Sequence, residues 1–364
     1  TKNLPLTFNL VQKNGAGHDG WSASQDLLTI LGNFLKTYLI IKLGALGDVV
    51  MATSILSAIK ADNPDAIVTW VAGNASRPLL ELTGLVDEII VADEGIILNG
   101  SFLQKIKAVG AIFLKLLGRK FDCCLVPYRD WRYHLLHIGA KCKTVLSFRG
   151  EHKLIPGRYH GSEYLRLVLG NKFSSDSRLA LSVPALRNTS QLDAPQILLA
   201  PGSPTPNATD WNRQWPLAHY VALAQKFCAE GFFVGIVGID STETVDSFFK
   251  DIDVTSYINK TNLTELLQLL SNARVLICHD SGVMHLMAMC GGPCISIFGP
   301  TLSIEKVFPS PQQIALHCPV ALPCMPCYDG KKYTKCKKME CMRLVTPEHV
   351  FDTTVTLLGH RSVC

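Results

Sequence analysis

Three short segments of this 364-residue chain place charged side chains beside small residues, a combination suited to phosphate or sugar ligands. The first is Lys42-Leu43-Gly44-Ala45-Leu46-Gly47-Asp48. Gly44 and Gly47 lie between an apolar run and a helical pattern, where they let the backbone approach a ligand. The helix start behind them offers free N–H groups. The segment matches neither GxxxxGK[ST] nor GxGxxG, and no acid after the second strand stands where a dinucleotide ribose needs one. Asp48 can cap the helix, which is worth about 0.5–2 kcal/mol, or act as a base inside a cleft.

The second segment joins Pro201-Gly202-Ser203 to Asp210-Trp211-Asn212-Arg213-Gln214-Trp215-Pro216. A Gly/Ser turn followed by a cation just before a helix suits a diphosphate, because guanidinium offers a planar fork of donors to phosphate oxygens. Ser203 and Arg213 are the candidate contacts. The alternative is a surface loop anchored by Trp215. The third segment is Cys278-His279-Asp280-Ser281-Gly282-Val283-Met284-His285. Ser281 is placed to cap a helix whose first turn Gly282 keeps open, and the free N–H groups there suit a nucleotide diphosphate. His285, four residues after Ser281, falls on the same helix face. Phe298-Gly299-Pro300-Thr301 brings a hydroxyl to the same sheet edge. Taken singly, Asp280 reads as a cap and His285 as a core histidine.

A fourth group, Cys318-x5-Cys324-x2-Cys327-x8-Cys336-x4-Cys341, has the look of a four-thiolate zinc site at Cys324, Cys327, Cys336 and Cys341. Lys331, Lys332, Lys335, Lys337 and Lys338 would favour thiolates there. A labile disulfide or free thiols are the alternatives, and either bonded role is structural. Of the 13 cysteines, Cys123, Cys124, Cys228, Cys278, Cys290 and Cys294 sit in apolar patterns and read as small core residues.

The elements that must position these residues follow an α/β pattern repeated twice. The first series expects strands at Tyr38–Leu43, Ile67–Val71, 88–92, Asp122–Pro127 and Thr144–Phe148. Its helices fall at about 48–61, 76–82 and 103–118. The polar stretch 172–195 reads as a linker. The second series expects strands at Gln196–Ala200, Phe232–Val237, Arg274–Cys278 and Cys294–Phe298. Its helices fall at Pro216–Glu230, 242–250, Leu263–Ser271 and Ser281–Cys290. Such βαβ repeats build parallel sheets, with ligands at the carboxyl ends of the strands. The domains expected are an extension at 1–36, a Rossmann-like domain at 37–180, a linker at 181–195, a second Rossmann-like domain at 196–345 that includes the Cys-rich segment 318–341, and a C-terminal helix and tail at 346–364. Within the extension, 22–36 is helix-like and carries no assigned function. Residues 1–36 lack the basic-then-apolar order of a secretory signal.

Composition sets the class. Apolar residues make up 48% and charged residues 18%, as in a globular chain with buried sheets. The net charge of +5 comes without a dense basic run or an aromatic-basic module, which argues against nucleic acid. No apolar run reaches membrane-spanning length. Basic residues concentrate between 115 and 166, from Lys115 and Arg119 to Arg158 and Arg166, against only Asp122, Asp130, Glu151 and Glu163. That stretch is a solvated surface or a face for an anionic partner. Residues 103–120 form a basic amphipathic helix whose apolar side is expected to pack on the core rather than lie on a membrane.

Together, GALGD after the first strand, PGS…RQWP at the second domain's start and HDSGVMHLMA…FGPT resemble glycosyltransferase family 9, over about residues 38–358. The resemblance implies a GT-B fold, two Rossmann-like domains facing across a cleft. It implies inverting, metal-independent transfer of a heptose from ADP-heptose to the lipopolysaccharide inner core on lipid A. By position, Asp48 matches the family's general base, and Arg213 stands where the family usually has Lys on the donor diphosphate. Asp280, Ser281, Gly282 and His285 match the donor-site motif. Glu243, with Asp240 as rival, is the weaker candidate for the nucleotide ribose. A cytoplasmic enzyme is implied, peripheral on the inner membrane, with the basic stretch toward an anionic glycolipid. A relative using another nucleotide sugar or acceptor, and a non-catalytic binding relative, are the alternatives. An epimerase on this architecture would need a second acid constellation, which the sequence lacks.

Overall fold

The computed structural model describes residues 36–174, 181, 195–202, 211–240, 243–328, 334, 336 and 338–359. The first half runs β1 (Thr37–Ile41), α1 (Leu46–Ala52), α2 (Ser54–Asp62), β2 (Ile67–Gly73), α3 (Arg77–Thr83) and β3 (Glu88–Ala92). It continues with α4 (Glu94–Asn99), α5 (Phe102–Leu116), β4 (Lys120–Val126), a 3-10 turn at Trp131–His137, β5 (Lys141–Ser147) and α6 (His160–Leu169). The second half opens with β6 (Ile197–Ala200), a 3-10 turn at Trp211–Arg213, α7 (Leu217–Ala229), β7 (Val234–Ile236), α8 (Val245–Phe248) and β8 (Val254–Ser256). Then come α9 (Leu263–Asn272), β9 (Val275–His279), α10 (Gly282–Met289), β10 (Cys294–Phe298), α11 (Ser303–Lys306), β11 (Gln313–His317), α12 (Glu340–Arg343) and α13 (Pro347–Gly359).

Every described strand pair is parallel. The first sheet has the order β3-β2-β1-β4-β5 and the second β8-β7-β6-β9-β10-β11. Both orders reverse direction once, between β1 and β4 and between β6 and β9. In open α/β sheets ligands bind at such a switch point, outside the carboxyl ends of the strands. The glycine loop leaves β1, Gly202 follows β6, and His279-Asp280-Ser281 ends β9, so the singled-out motifs occupy the switch points. The strands read as unbroken apolar runs because helices cover both faces: Leu39, Ile40 and Ile41 are all fully buried.

Several local departures from expectation have identifiable causes. The single helix expected over 48–61 is two, α1 and α2. At the break the Thr53 and Ser54 hydroxyls bond the Val50 and Met51 carbonyls at 2.7 and 2.9 Å, competing with the helical ladder. Helix α6 was not expected. Its charges hide an amphipathic pattern in which Glu163 is fully buried, bonded by Ile155 N–H at 3.0 Å and Arg166 at 2.7 Å. The short strands β8 and β11 were also missed.

Helix α5 packs one apolar side on the core through Ile112 and Leu116, as expected, and leaves further apolar residues outside. It opens with a capping box between Ser101 and Gln104 and buries only Ile112 and Leu116. Phe102, Leu103, Ile106 and Leu114 are exposed, as is Leu117 just beyond the helix. The basic stretch is less charged than it reads, because Arg119, Arg132, Lys143 and Arg166 pair with Glu88, Asp130, Asp122 and Glu163. Among the described residues no helix is long and apolar enough to cross a membrane. The helical extension expected in 22–36 and most of the linker lie outside the described residues.

Each half keeps an apolar core of its own, and a third is shared between them. One apolar cluster contains Val49, Met51 and Ile55 of the first half together with Met284, Leu286 and Met287 of α10. Helices α1 and α10, each starting at a candidate motif, pack against each other.

Candidate active site

The chemistry gathers where α1 meets α10. Asp48 stands in the first turn of α1 but does not cap it; the cap residue is Ala45. Its carboxylate instead pairs with Lys42 Nζ at 2.9 Å, and about a third of the side chain (34%) stays open. Lys42 directly follows β1 and is buried, with its ammonium 4.2 Å from the Tyr128 ring centroid and 5.6 Å from that of Tyr164. Burial pushes the Asp48 carboxyl up, but the charges of Lys42 and then Lys306, with the Lys42 hydrogen bond, hold it well below the usual carboxylate range. Burial pushes Lys42 down, and the adjacent Asp48 more than reverses this, so its ammonium is held well above the ordinary value.

The glycine loop is fixed from behind. Tyr128, just past β4, accepts the Leu43 and Gly44 N–H groups at 3.0 and 3.4 Å. Tyr133 stacks on Tyr128 with ring centroids 3.5 Å apart and donates to Glu94 at 2.6 Å. A cavity of ≈ 470 Å³ opens beside the loop, lined by Gly44, Ala45, Gly73, Asn74, Ser76, Asp93 and Glu94 among others. Its polar lining is hydroxyl, amide and carboxylate, which suits sugar hydroxyls.

On the facing half, Asp280 is buried and accepts the Thr301 hydroxyl at 2.8 Å, with Arg213 NH1 at 3.4 Å. Burial raises the Asp280 carboxyl, while Arg213, the Thr301 bond and Lys306 bring it below its ordinary value. Three expected donor residues thus form one cluster. Arg213 does stand next to an anchored tryptophan: Trp215 is buried and donates to Val345 O at 2.8 Å. At Gly202 the backbone is left-handed (φ 71°), and a Cβ would come 2.9 Å from the His279 ring, so glycine is required.

Ser281 is the cap residue of α10, as expected, but its side chain makes no capping bond. Its Oγ is buried and without a partner among the described residues, and an unpaired buried hydroxyl is costly. His285 lies at the junction of the two halves. It is buried against Gly47, where a Cβ would collide with the imidazole ring. Burial, with Lys306 and Arg213 adding to it, takes His285 down to about 4, against the pull of Asp280 and Asp48. Gly282 faces α1 as well, its Cβ direction 3.9 Å from Gly47 N.

The remaining candidates are not brought into this group. Glu243 is exposed, on a left-handed backbone (φ 54°). Its rival Asp240 is committed to structure, accepting the Thr244 and Val245 N–H groups at 2.8 Å each. Ser203 lies outside the described residues. Cys324, Cys327 and Cys336 act electrostatically on the Cys341 thiol, which burial first pushes up to about 11. They are not drawn into a ligand set. Among the described residues the group with ligand atoms within 4.8 Å of one another is Cys124, His137 and Cys142.

Lys306, His160 and Glu305 form a group that the sequence reading did not single out. Lys306 Nζ lies 3.3 Å from His160 Nδ1, and Glu305 lies 3.7 Å from His160 Nε2. Glu305 also accepts the Gly157 N–H at 2.9 Å. Burial and Lys306 drive His160 down to about 3. Lys42 had a signal, a lysine ending an apolar strand six residues before an acid. Lys306, on a four-residue helix, had none.

Two parallel doubly wound sheets joined through α1 and α10 have the architecture of the GT-B fold, with a paired carboxylate on one side and an Asp–Arg–Thr cluster on the other. Residues 170–338 match the model of Glycosyltransferase family 9 (heptosyltransferase), and the chain carries a domain of that family. The lipooligosaccharide heptosyltransferase 2 of Haemophilus influenzae is 25% identical over 290 residues, covering 70% of this chain and 81% of the relative. Among solved structures, Escherichia coli heptosyltransferase WaaC with ADP superposes with a TM-score of 0.72 at 14% identity, covering 88% of this chain and 99% of that one. A glycosyltransferase family 9 protein from Veillonella parvula gives 0.69 at 19% identity, covering 89% and 98%.

Proposed function

We propose that this glycosyltransferase moves a heptose from ADP-heptose to a hydroxyl of the lipopolysaccharide inner core, with inversion and without a catalytic metal. The observation that carries this is the approach of α1 to α10, which sets the Asp48 carboxylate opposite the donor motif. The names of the relatives, lipooligosaccharide and lipopolysaccharide heptosyltransferases, and a neighbour solved with ADP support the choice of sugar, acceptor and nucleotide.

In this scheme the acceptor hydroxyl enters the cavity beside the glycine loop and attacks the anomeric carbon from the side opposite the diphosphate. One C–O bond forms as the other breaks, the proton passes to Asp48, and the diphosphate leaves as ADP. Asp48 is a weak base at rest because Lys42 holds its charge. It acts late, when the attacking oxygen has become strongly acidic. Arg213 and the N–H groups at the start of α10 take the growing charge on the leaving diphosphate. The unpartnered Ser281 hydroxyl stands ready to bond it. Ser203, and Glu243 for the ribose, are assigned to the same donor site. The first half would be the acceptor domain and the second the nucleotide-sugar domain. Any metal held by Cys324, Cys327, Cys336 and Cys341 would be structural. The exposed apolar residues of α5, flanked by Lys105, Lys107 and Lys115, support peripheral contact with the cytoplasmic face of the inner membrane and an anionic glycolipid.

A thermal-shift panel of nucleotide diphosphates tests the donor. ADP at about 100 times its dissociation constant adds roughly 2.7 kcal/mol, and preference for UDP or GDP would refute ADP-heptose in favour of another nucleotide sugar. Asp48→Asn is expected to lower kcat by about 10²–10⁴ with the ADP shift intact. Undiminished transfer would remove Asp48 from the mechanism.

A further inference from the structure

Three donors that sugar transfer does not use gather beside the first sheet. Cys124 belongs to β4, His137 ends the Trp131–His137 turn, and Cys142 is the second residue of β5. Their ligand atoms, two sulfurs and a ring nitrogen, all lie within 4.8 Å of one another, with Cys124 buried and the other two half-buried. Both cysteines are free thiols. Apolar side chains pack beside them, with the His134 ring 6.1 Å from that of His137. Cys124 shares a core cluster with Ile112, Leu116, Phe121 and Leu136, and Cys142 packs against it.

The chain spacing agrees with the geometry. Twelve residues separate Cys124 from His137 and four separate His137 from Cys142. In Cys2His2 modules the same interval, about twelve residues and then three to five, separates the second cysteine from the two histidines, with a further cysteine before them. Thiolate and imidazole are the donors that zinc prefers, and three protein ligands with a water complete a tetrahedron. For packing alone, aliphatic side chains would fill this layer without bringing three ligating atoms together.

We propose that Cys124, His137 and Cys142 form a site for a thiophilic divalent cation, zinc in the first place, that staples the 131–137 turn to β4 and β5. Binding releases the two thiol protons to solvent and changes no oxidation state. The staple has a mechanical consequence. The turn carries Tyr133, which stacks on Tyr128, and Tyr128 holds the N–H groups of Leu43 and Gly44. A metal there would stiffen the glycine loop from behind without touching substrate. It is separate from the cysteines at 324–341, which the test must keep apart.

Metal content of the purified full-length chain decides the matter. His137→Ala and Cys142→Ser are each expected to hold one equivalent of zinc less than the parent. Cobalt(II) should give thiolate-to-cobalt charge-transfer absorption in Cys324→Ser/Cys327→Ser, and this signal should vanish when His137→Ala is added. Equal zinc in the parent and in the folded His137→Ala and Cys142→Ser variants overturns the site. Should those variants fail to fold, the Cys324→Ser/Cys327→Ser chain still decides it: without cobalt charge transfer the proposal is wrong. A Cys124–Cys142 disulfide found by peptide mapping of the native chain would also overturn it.

Discussion

A carboxylate beside a buried ammonium is a stable charge before it is a base, and the Lys42–Asp48 pair is built that way. Replacing Lys42 by Met removes the charge that holds the Asp48 carboxyl low and leaves burial to push it up. The acidic limb of kcat/KM is then expected to move to higher pH; a limb that stays put would mean Asp48 does not titrate in catalysis. His285 and His160 make a second prediction. Their folded values, about 4 and about 3, lie below the ordinary 6.5. Between those values the unfolded chain binds protons that the folded one refuses, so stability is full above 6.5 and drains as pH falls toward 4. Thermal midpoints measured across that interval should decline, and less steeply in His285→Gln. An identical slope in the variant would show that His285 does not contribute.

At the scale of elements, the junction depends on how closely α1 and α10 approach. Gly47 is where the His285 ring rests, and no side chain fits between them. Gly47→Ala should therefore destabilise by about 1–3 kcal/mol through overpacking. In Gly47→Ala/His285→Ala the loss should be smaller than the sum of the two single changes, because the ring that clashes is gone. Denaturant unfolding of the four chains completes the cycle, and simple additivity would contradict the contact. The GALGD glycines, readable as ligand-facing, thus do different work. Gly44 lines the cavity, while Gly47 permits helix-to-helix contact.

For the whole molecule, the two halves are held by an apolar seam and by a polar latch at its edge. Glu305 and Lys306 reach from α11 to the Gly157 N–H and to both ring nitrogens of His160. Lys306 also acts on Asp48, Asp280 and His285, so a charge from the second half tunes groups in both. Glu305→Ala/Lys306→Ala should loosen the junction. Small-angle scattering is expected to show a larger radius of gyration, and kcat should fall more than ADP affinity. An unchanged radius with normal kcat would make the latch incidental.

How much was legible follows from the range of each force. Strand positions, the doubled βαβ order and the three motifs could be read from sequence, because apolar periodicity and turn chemistry are local. Strand Cys294–Phe298 and the helix after Ser281 fell where periodicity put them, and Asp280, Arg213 and Thr301, each singled out there, lie together. Only the tertiary structure decided what each charged group faces. The partner of Asp48 is Lys42 rather than its own helix, His285 packs on Gly47, and α5 leaves Phe102, Leu103, Ile106 and Leu114 in solvent. It also brought Lys306 to His160 and Cys124 to His137 and Cys142. Burial and charge pairing act through space between residues far apart in the chain, so no window of sequence contains them. Asp48 was therefore visible in the sequence as a candidate base, and its electrostatic state only in the fold.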